Sequence, residues 1–217
     1  KNKNLMYIFQ NKDLKKKLDK TILITKKIKI IKKNIEDIDN EEGFIRYAKK
    51  KIFYDLIILS TGGRSNLYSA IDEGRSIEKN YEELALTAII KHNAKIENVS
   101  QFFLKEGPLA ILPFQKKVFS IVWSVGSDFF NTNKKKIKKI LNKKLRILLK
   151  TKNIKNVVNI RSFPINLNLK TKYFKKNVLI LGDGLHTVHP MAGQGFNLVL
   201  RDIKKLKELM SKTLKLG

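Results

Sequence analysis

An acidic residue between two glycines, close to the end of the chain, is the first pattern that could do chemistry. Asp183 stands between Gly182 and Gly184, directly after the apolar run Val178–Leu181. A short apolar run rich in branched residues is typical of a buried strand, and the glycines that follow it favour a turn. The pattern predicts a strand that ends in a turn with an acidic side chain at its tip.

The next segment has little side-chain bulk and leads into a helix. Pro190, Gly193 and Gly195 predict a loop, and the apolar spacing from Phe196 to Leu206 is helical, so the helix begins at Gln194 or Gly195. A glycine-rich loop ahead of a helix N-terminus lets backbone N–H groups approach a ligand closely. Strand, turn, loop and helix together predict a binding site.

Two histidines in this stretch raise the question of a metal. His186 and His189 are three residues apart, but there is no HExxH pattern, and His92 belongs to an unrelated strand-like region. The sequence therefore predicts no metal site. It assigns no catalytic acid or base either, and the catalytic residues stay unknown.

A second strand and glycine turn lie earlier in the chain. Leu56–Leu59 predicts a buried strand, and Thr61, Gly62 and Gly63 follow it. These glycines fit a ligand-binding turn and equally a tight turn that only reverses the chain.

Strand-like segments dominate the middle of the chain. The two residues Lys116 and Lys117 form a connection short enough for a hairpin between the last two of these segments, Leu109–Phe114 and Val118–Val125. Trp123 is expected to be core, with the lining of an apolar pocket as the alternative. The predicted strands of this region are Leu84–Ile90, Val99–Leu104, Leu109–Phe114 and Val118–Val125.

The remaining elements follow from residue type and periodicity. Apolar residues at helical spacing predict a helix over Lys134–Leu149, with a lysine face toward solvent. Ile-rich or aromatic runs predict strands at Thr21–Thr25, Lys29–Ile35, Gly43–Tyr47 and Val157–Phe163, the last ended by Pro164.

The string GDGLHTVHPMAGQGFN resembles the second flavin-binding signature of the aromatic-ring hydroxylases, the FAD-dependent monooxygenases related to p-hydroxybenzoate hydroxylase. Its continuation LVLRDI, together with YEELALTAII, FFLKEGPLAILPF and VFSIVWSV, is most similar to the ubiquinone-biosynthesis hydroxylase branch. The match is long and ordered, which makes it more specific than a lone glycine motif.

The resemblance implies roles for particular residues. Asp183, with Gly182, would hold the ribityl chain of FAD, since a carboxylate only accepts hydrogen bonds and pairs strongly with hydroxyl donors. Gly63 is a weaker cofactor candidate, because Gly62 stands where the family has an aspartate. The residues expected beside the flavin ring are Pro190, Ala192, Gly193, Gln194 and Gly195, with Asn197 as a further hydrogen-bond partner.

The resemblance also implies a reaction and a fold. With NAD(P)H as co-substrate and O₂, the enzyme would hydroxylate an aromatic, polyprenylated precursor of ubiquinone, the redox chemistry being the cofactor's. The fold class expected is α/β (α+β), a partial FAD-binding Rossmann-like domain carrying an inserted, mostly antiparallel substrate sheet. The expected pieces are 1–71 and 163–217 for FAD and 72–162 for substrate. No GxGxxG motif occurs, so the chain is expected to be an interior, truncated portion of such an enzyme.

The net charge of the chain leaves alternative functions open. The net charge is +27, but of the 46 basic residues only six are Arg, and specific nucleic-acid readers rely on Arg. A genome biased toward A and T codons explains the lysine excess, with attraction to a membrane surface as the alternative.

A second hypothesis for the function is a non-catalytic accessory protein that binds a quinone-like lipid or a partner chain, such as another ubiquinone-pathway protein. A basic nucleic-acid-binding protein is a lesser one. Absence of Cys fits a cytoplasmic location, peripheral contact with the inner membrane being left open.

Overall fold

A computed structural model describes residues 7–63, 65–71, 76–188 and 194–213. The chain divides into two compact units. We call Lys1–Ile30 with Glu82–Pro164 the β-rich unit, and Ile31–Tyr81 with Ile165–Gly217 the glycine-turn unit. Residues 1–30, expected in the first flavin piece, cluster with the β-rich unit. The assignment of the pieces to flavin and substrate binding stays a prediction.

The described residues combine a few helices with runs of consecutive strands, in the mixed α/β class that the sequence predicts. The helices are α1 (Asn11–Ile24), α2 (Ser127–Asn133), α3 (Ile137–Leu148) and α4 (Gln194–Thr213). The strands are β1 (Asp37–Asp39), β2 (Phe44–Tyr47), β3 (Lys50–Phe53), β4 (Ile57–Leu59), β5 (Ser76–His92), β6 (Ser100–Leu104), β7 (Gly107–Gln115), β8 (Val118–Gly126), β9 (Ile154–Lys170), β10 (Phe174–Lys175), β11 (Val178–Ile180) and β12 (His186–Thr187).

The β-rich unit is built on a sheet with the order β9-β5-β8-β7-β6. β5 pairs antiparallel with β8, and β7 with β8 and β6. Gln115 pairs with Val118, which confirms the predicted two-residue hairpin. Since side chains alternate across a strand, one face of the sheet is apolar, and α3 packs its buried residues Leu141 and Leu145 into the same core.

Trp123 lies at the centre of this core and is fully buried, as expected for a core aromatic. Its ring packs edge-on against Phe129, with ring centroids 5.6 Å apart. Lys144 Nζ lies 5.6 Å from the Trp123 ring centroid and donates a 2.9 Å hydrogen bond to Glu106. Burial by itself would raise the pKa of Glu106, but the hydrogen bond and charge of Lys144, the Glu106 main-chain amide and the charge of Lys105 outweigh it, so that the pKa is lowered.

The glycine-turn unit contains two small sheets. β1, β2 and β3 form an antiparallel sheet, and β10, β11 and β4 form a second sheet in which β11 and β4 run parallel. The second sheet buries Ile57, Leu59, Val178 and Ile180 against Ile71. β12 pairs antiparallel with the last part of β9, where His186 is opposite Leu169.

Three expectations about local structure are wrong. Thr21–Thr25 falls almost entirely within α1, because the β preference of Ile and Thr is weak when no strand lies beside them. Lys29–Ile35 is exposed and forms no strand. β9 continues through Pro164, which is itself exposed, as proline tolerates extended backbone where its missing N–H is not needed. Among the described helices, none has the length and apolar content needed to cross a bilayer.

Candidate functional site

Two glycine turns follow the carboxyl ends of the parallel strands β4 and β11. In the strand register Ile57 is opposite Val178, and Leu59 is opposite Ile180. The Leu181 N–H continues the pairing with a 2.9 Å bond to the Leu59 carbonyl. Ligands of open α/β sheets bind beyond the carboxyl ends of parallel strands. This edge is therefore the place where the fold presents a site.

The first turn contains Gly62 and Gly63, and it lies against the second. A Cβ atom on Gly63 would lie 3.4 Å from Thr187 Oγ1 and 3.7 Å from the carbonyl oxygen of Asp183. Gly62 has a φ of +87°, a conformation that a residue with a side chain rarely adopts. The structure thus brings Gly63 beside the Asp183 turn, while its role as a cofactor contact stays a prediction.

Tyr68 joins the two turns. It belongs to a 3-10 turn over Asn66–Ala70 and is 4% exposed. Its hydroxyl donates a hydrogen bond to the carbonyl of Gly62, and its ring end occupies the space where a Cβ atom on Gly184 would lie. Sequence reasoning missed Tyr68, since no local signal ties an aromatic residue to a glycine far along the chain.

The second turn, over Gly182–Gly184, displays Asp183. Gly182 has a φ of +81° and open space where a side chain would point. Asp183 is exposed, and its carboxylate has no hydrogen-bond partner among the described residues. Its main chain is fixed, because Thr187 Oγ1 donates a 3.0 Å bond to the Asp183 carbonyl. A free carboxylate on a fixed turn with open space beside it fits the hydroxyl groups of a flavin ribityl chain.

His186 and Asp202 connect the strand after this turn to helix α4. His186 Nε2 and Asp202 Oδ2 are 2.6 Å apart. The His186 side chain is 13% exposed and that of Asp202 is 30% exposed. Sequence reasoning weighed His186 as a metal ligand and as an acid or base, and the resemblance implied a supporting, structural role for it; it assigned no role to Asp202. The spacing of 16 residues carries no local signal.

Among the described residues helix α4 spans Gln194–Thr213, and it packs against the Gly182–Gly184 turn. The start of the helix at Gln194 or Gly195 stays a prediction, because the description resumes only at Gln194 after residue 188. Gln194 and Asn197 are exposed on its first turn, whereas Gly195 is half-buried. The other residues predicted to lie at the flavin ring, Pro190, Ala192 and Gly193, and also His189, lie outside the described residues. Nowhere in the described ranges do three His, Asp or Glu side chains cluster as metal ligands would.

The sequence profile of the FAD binding domain family matches residues 33–215, which includes both glycine turns and α4. The chain belongs to this family. Its expected cofactor is accordingly FAD, and the fit of the Asp183 turn to a ribityl chain agrees with that cofactor.

Two curated relatives have names that refer to ubiquinone. The mitochondrial ubiquinone biosynthesis monooxygenase COQ6 of Xenopus tropicalis is 26% identical over 204 residues, covering 77% of this chain and 44% of the relative. The ubiquinone hydroxylase UbiL of Rhodospirillum rubrum is 27% identical over 168 residues, covering 75% of this chain and 38% of the relative. The chain therefore spans less than half the length of the curated relatives it matches.

A solved structure shows the same fold. PqsL, a probable FAD-dependent monooxygenase from Pseudomonas aeruginosa, superposes with a TM-score of 0.74 at 17% identity, covering 93% of this chain and 60% of that one. The predicted FAD-binding monooxygenase fold is thereby confirmed.

Proposed function

We propose that this chain supplies the ribityl-binding and flavin-ring-binding part of the FAD site in a monooxygenase of ubiquinone biosynthesis. The observation that carries the proposal is the edge of the β4–β11 pair. There two glycine turns, joined by Tyr68, present the exposed carboxylate of Asp183, which has no hydrogen-bond partner among the residues that the structure describes. The family match and the names of the ubiquinone-pathway relatives support the same function.

The residues of the two turns and of α4 have different roles in binding the cofactor. Asp183 accepts hydrogen bonds from ribityl hydroxyls, while Gly182 and Gly63 let the backbone come close. Gln194, Gly195 and Asn197, in the first described turn of α4, offer backbone N–H groups and the positive end of the helix dipole to the flavin ring. Pro190, Ala192 and Gly193 join this set on the resemblance alone.

The flavin supplies the redox chemistry, with NAD(P)H as reductant and O₂ as the source of the oxygen that is transferred. The proposed substrate is an aromatic, polyprenylated ubiquinone precursor, as the names of the relatives suggest. The protein's task is to orient ring and substrate and to exclude water. A cytoplasmic location, peripheral contact with an inner membrane and contacts with other pathway proteins are further parts of this proposal.

Flavin titration tests the assignment of Asp183. Riboflavin contains the ring and ribityl chain but no adenosine or phosphate, so a chain that binds this half should quench riboflavin fluorescence, and ADP should not compete. Asp183→Asn keeps the shape and removes the charge. Since hydrogen bonds to charged groups contribute about 1.5–3 kcal/mol, we expect about tenfold weaker riboflavin binding or more.

Asp55→Asn is the matched control. Asp55 is exposed, belongs to the same unit and precedes β4, at the opposite end of the strand pair from the glycine turns. Its substitution should leave the riboflavin dissociation constant unchanged. Equal affinity of Asp183→Asn and wild type would refute the role of Asp183.

Failure of the wild-type chain to bind riboflavin or FAD would favour the accessory-protein reading, in which the chain binds a quinone-like lipid or a partner without doing redox chemistry. The net charge of +27 keeps nucleic acid as a lesser candidate. A phosphate binder would lose affinity steeply as salt rises in a filter-binding assay.

A further inference from the structure

The His186–Asp202 contact has a defined proton donor. An ionised carboxylate can only accept hydrogen bonds, so His186 Nε2 must carry the hydrogen of the 2.6 Å contact with Asp202 Oδ2. Both side chains are largely removed from solvent, in contrast to exposed pairs such as Lys15–Asp19. A charge-assisted bond in such a place is worth more than a surface ion pair.

The His186 end of the contact is rigidly tied to the Asp183 turn. His186 pairs with Leu169 across β12 and β9, and the preceding Leu185 receives a 3.0 Å bond from the Lys170 N–H. The Leu185 N–H in turn donates a 2.9 Å bond to the Gly182 carbonyl. These backbone hydrogen bonds connect His186 to the turn that contains Asp183, so a shift of one is expected to shift the other.

The Asp202 end belongs to α4. Asp202 lies about two helical turns after Gln194, on a helix whose backbone bonds make it move as one piece. The His186–Asp202 hydrogen bond therefore links the Asp183 turn to α4, whose first described turn contains Gln194 and Asn197. The bond adds a directional contact to the packing of α4 on this turn.

We propose that His186 and Asp202 are a positioning pair that holds α4 at a fixed place relative to the Gly182–Gly184 turn. The pair thereby sets the spacing between Asp183 and the start of α4 before a flavin arrives. The link to flavin rests on the proposed function; the mechanical role of the pair does not. Preorganisation of this kind raises affinity because the protein orders less on binding.

Amide hydrogen exchange tests the mechanical role without any ligand. Asp202→Ala removes the acceptor, and we expect faster exchange at Leu185 and in the first half of α4. Asp202→Asn, which keeps an acceptor oxygen, should restore most of the protection. The matched control is Glu208→Gln, an exposed acid later on the same helix, which should leave exchange unchanged. Amides of the β7–β8 hairpin, in the other unit, report whether the fold as a whole is intact.

Riboflavin titration of the same variants tests the link to flavin. We expect Asp202→Ala and His186→Ala to weaken riboflavin binding about tenfold, which is the effect of losing one hydrogen bond to a charged group. We expect the double variant to be no weaker than either single one, because both remove the same bond.

The outcomes separate the two proposals. Unchanged exchange in Asp202→Ala would overturn the positioning pair, whether or not riboflavin binds. Faster exchange with unchanged riboflavin affinity would overturn its connection to the flavin contacts. No riboflavin binding by the wild-type chain would overturn the proposed function and leave the exchange result to decide on the pair.

Discussion

Gly184 gives a sharp test of how the two glycine turns are held together. A Cβ atom at this position would overlap the hydroxyl end of Tyr68 and lie 3.0 Å from Tyr68 Cε1. Tyr68 cannot easily move away, because it is almost fully buried and its hydroxyl donates to the Gly62 carbonyl. Gly184→Ala must therefore strain the packing or break that hydrogen bond.

The expected loss of stability in Gly184→Ala follows from overpacking around Tyr68. Extra methyl groups in a packed core cost about 1–3 kcal/mol. A loss of about 2 kcal/mol corresponds to a fall in melting temperature of roughly 4–8 °C for a chain of this size. The measurements are thermal unfolding by far-ultraviolet circular dichroism and amide exchange at Leu181, whose N–H joins β11 to β4.

Gly195→Ala is the control, since a Cβ atom there meets nothing within 4 Å and alanine favours a helix. We expect it to be neutral or slightly stabilising. In a Tyr68→Ala background the clash is absent, so Gly184→Ala should then cost little more. The proposed contact is refuted if Gly184→Ala and Gly195→Ala have the same melting temperature. It is also refuted if Gly184→Ala lowers the stability equally with and without Tyr68.

Two further predictions concern the β-rich unit, where Trp123, the sole tryptophan, serves as the fluorescence probe. The pKa of Glu106 is lowered below its ordinary 4.5, so its pair with Lys144 stabilises the fold above that value and loses its effect as pH falls through the lowered pKa. Glu106→Gln should therefore cost about 1 kcal/mol near pH 7 in urea unfolding, and the cost should fall as the pH is lowered further and further below 4.5. A cost that does not change with pH would contradict the pair's role. Leu145→Ala removes a fully buried side chain of α3 and should cost about 2–5 kcal/mol, whereas a cost below 1 kcal/mol would mean that α3 does not pack as described.

Local patterns in the sequence were sufficient for much of the fold. The hairpin at Lys116 and Lys117 and the strand before Asp183 were each predicted within a residue or so, and a helix was predicted where α4 lies. These features depend on neighbours in the chain: alternation, glycine turns and helical spacing. Local pattern failed for the Thr21–Thr25 run, which lies almost entirely in α1 because no strand among the described residues lies beside it, and for β9, which continues past Pro164.

The sequence by itself determined which residue types form the proposed site: a carboxylate at Asp183, glycines around it and a helix after it. Only the tertiary structure decided their geometry. Parallel pairing of β4 with β11 brought Gly63 beside Asp183, Tyr68 filled the space that glycine leaves at position 184, and Asp202 reached His186. Such contacts join residues far apart along the chain, and the free energy that selects them comes from burial and directional hydrogen bonds formed only once the whole unit has folded.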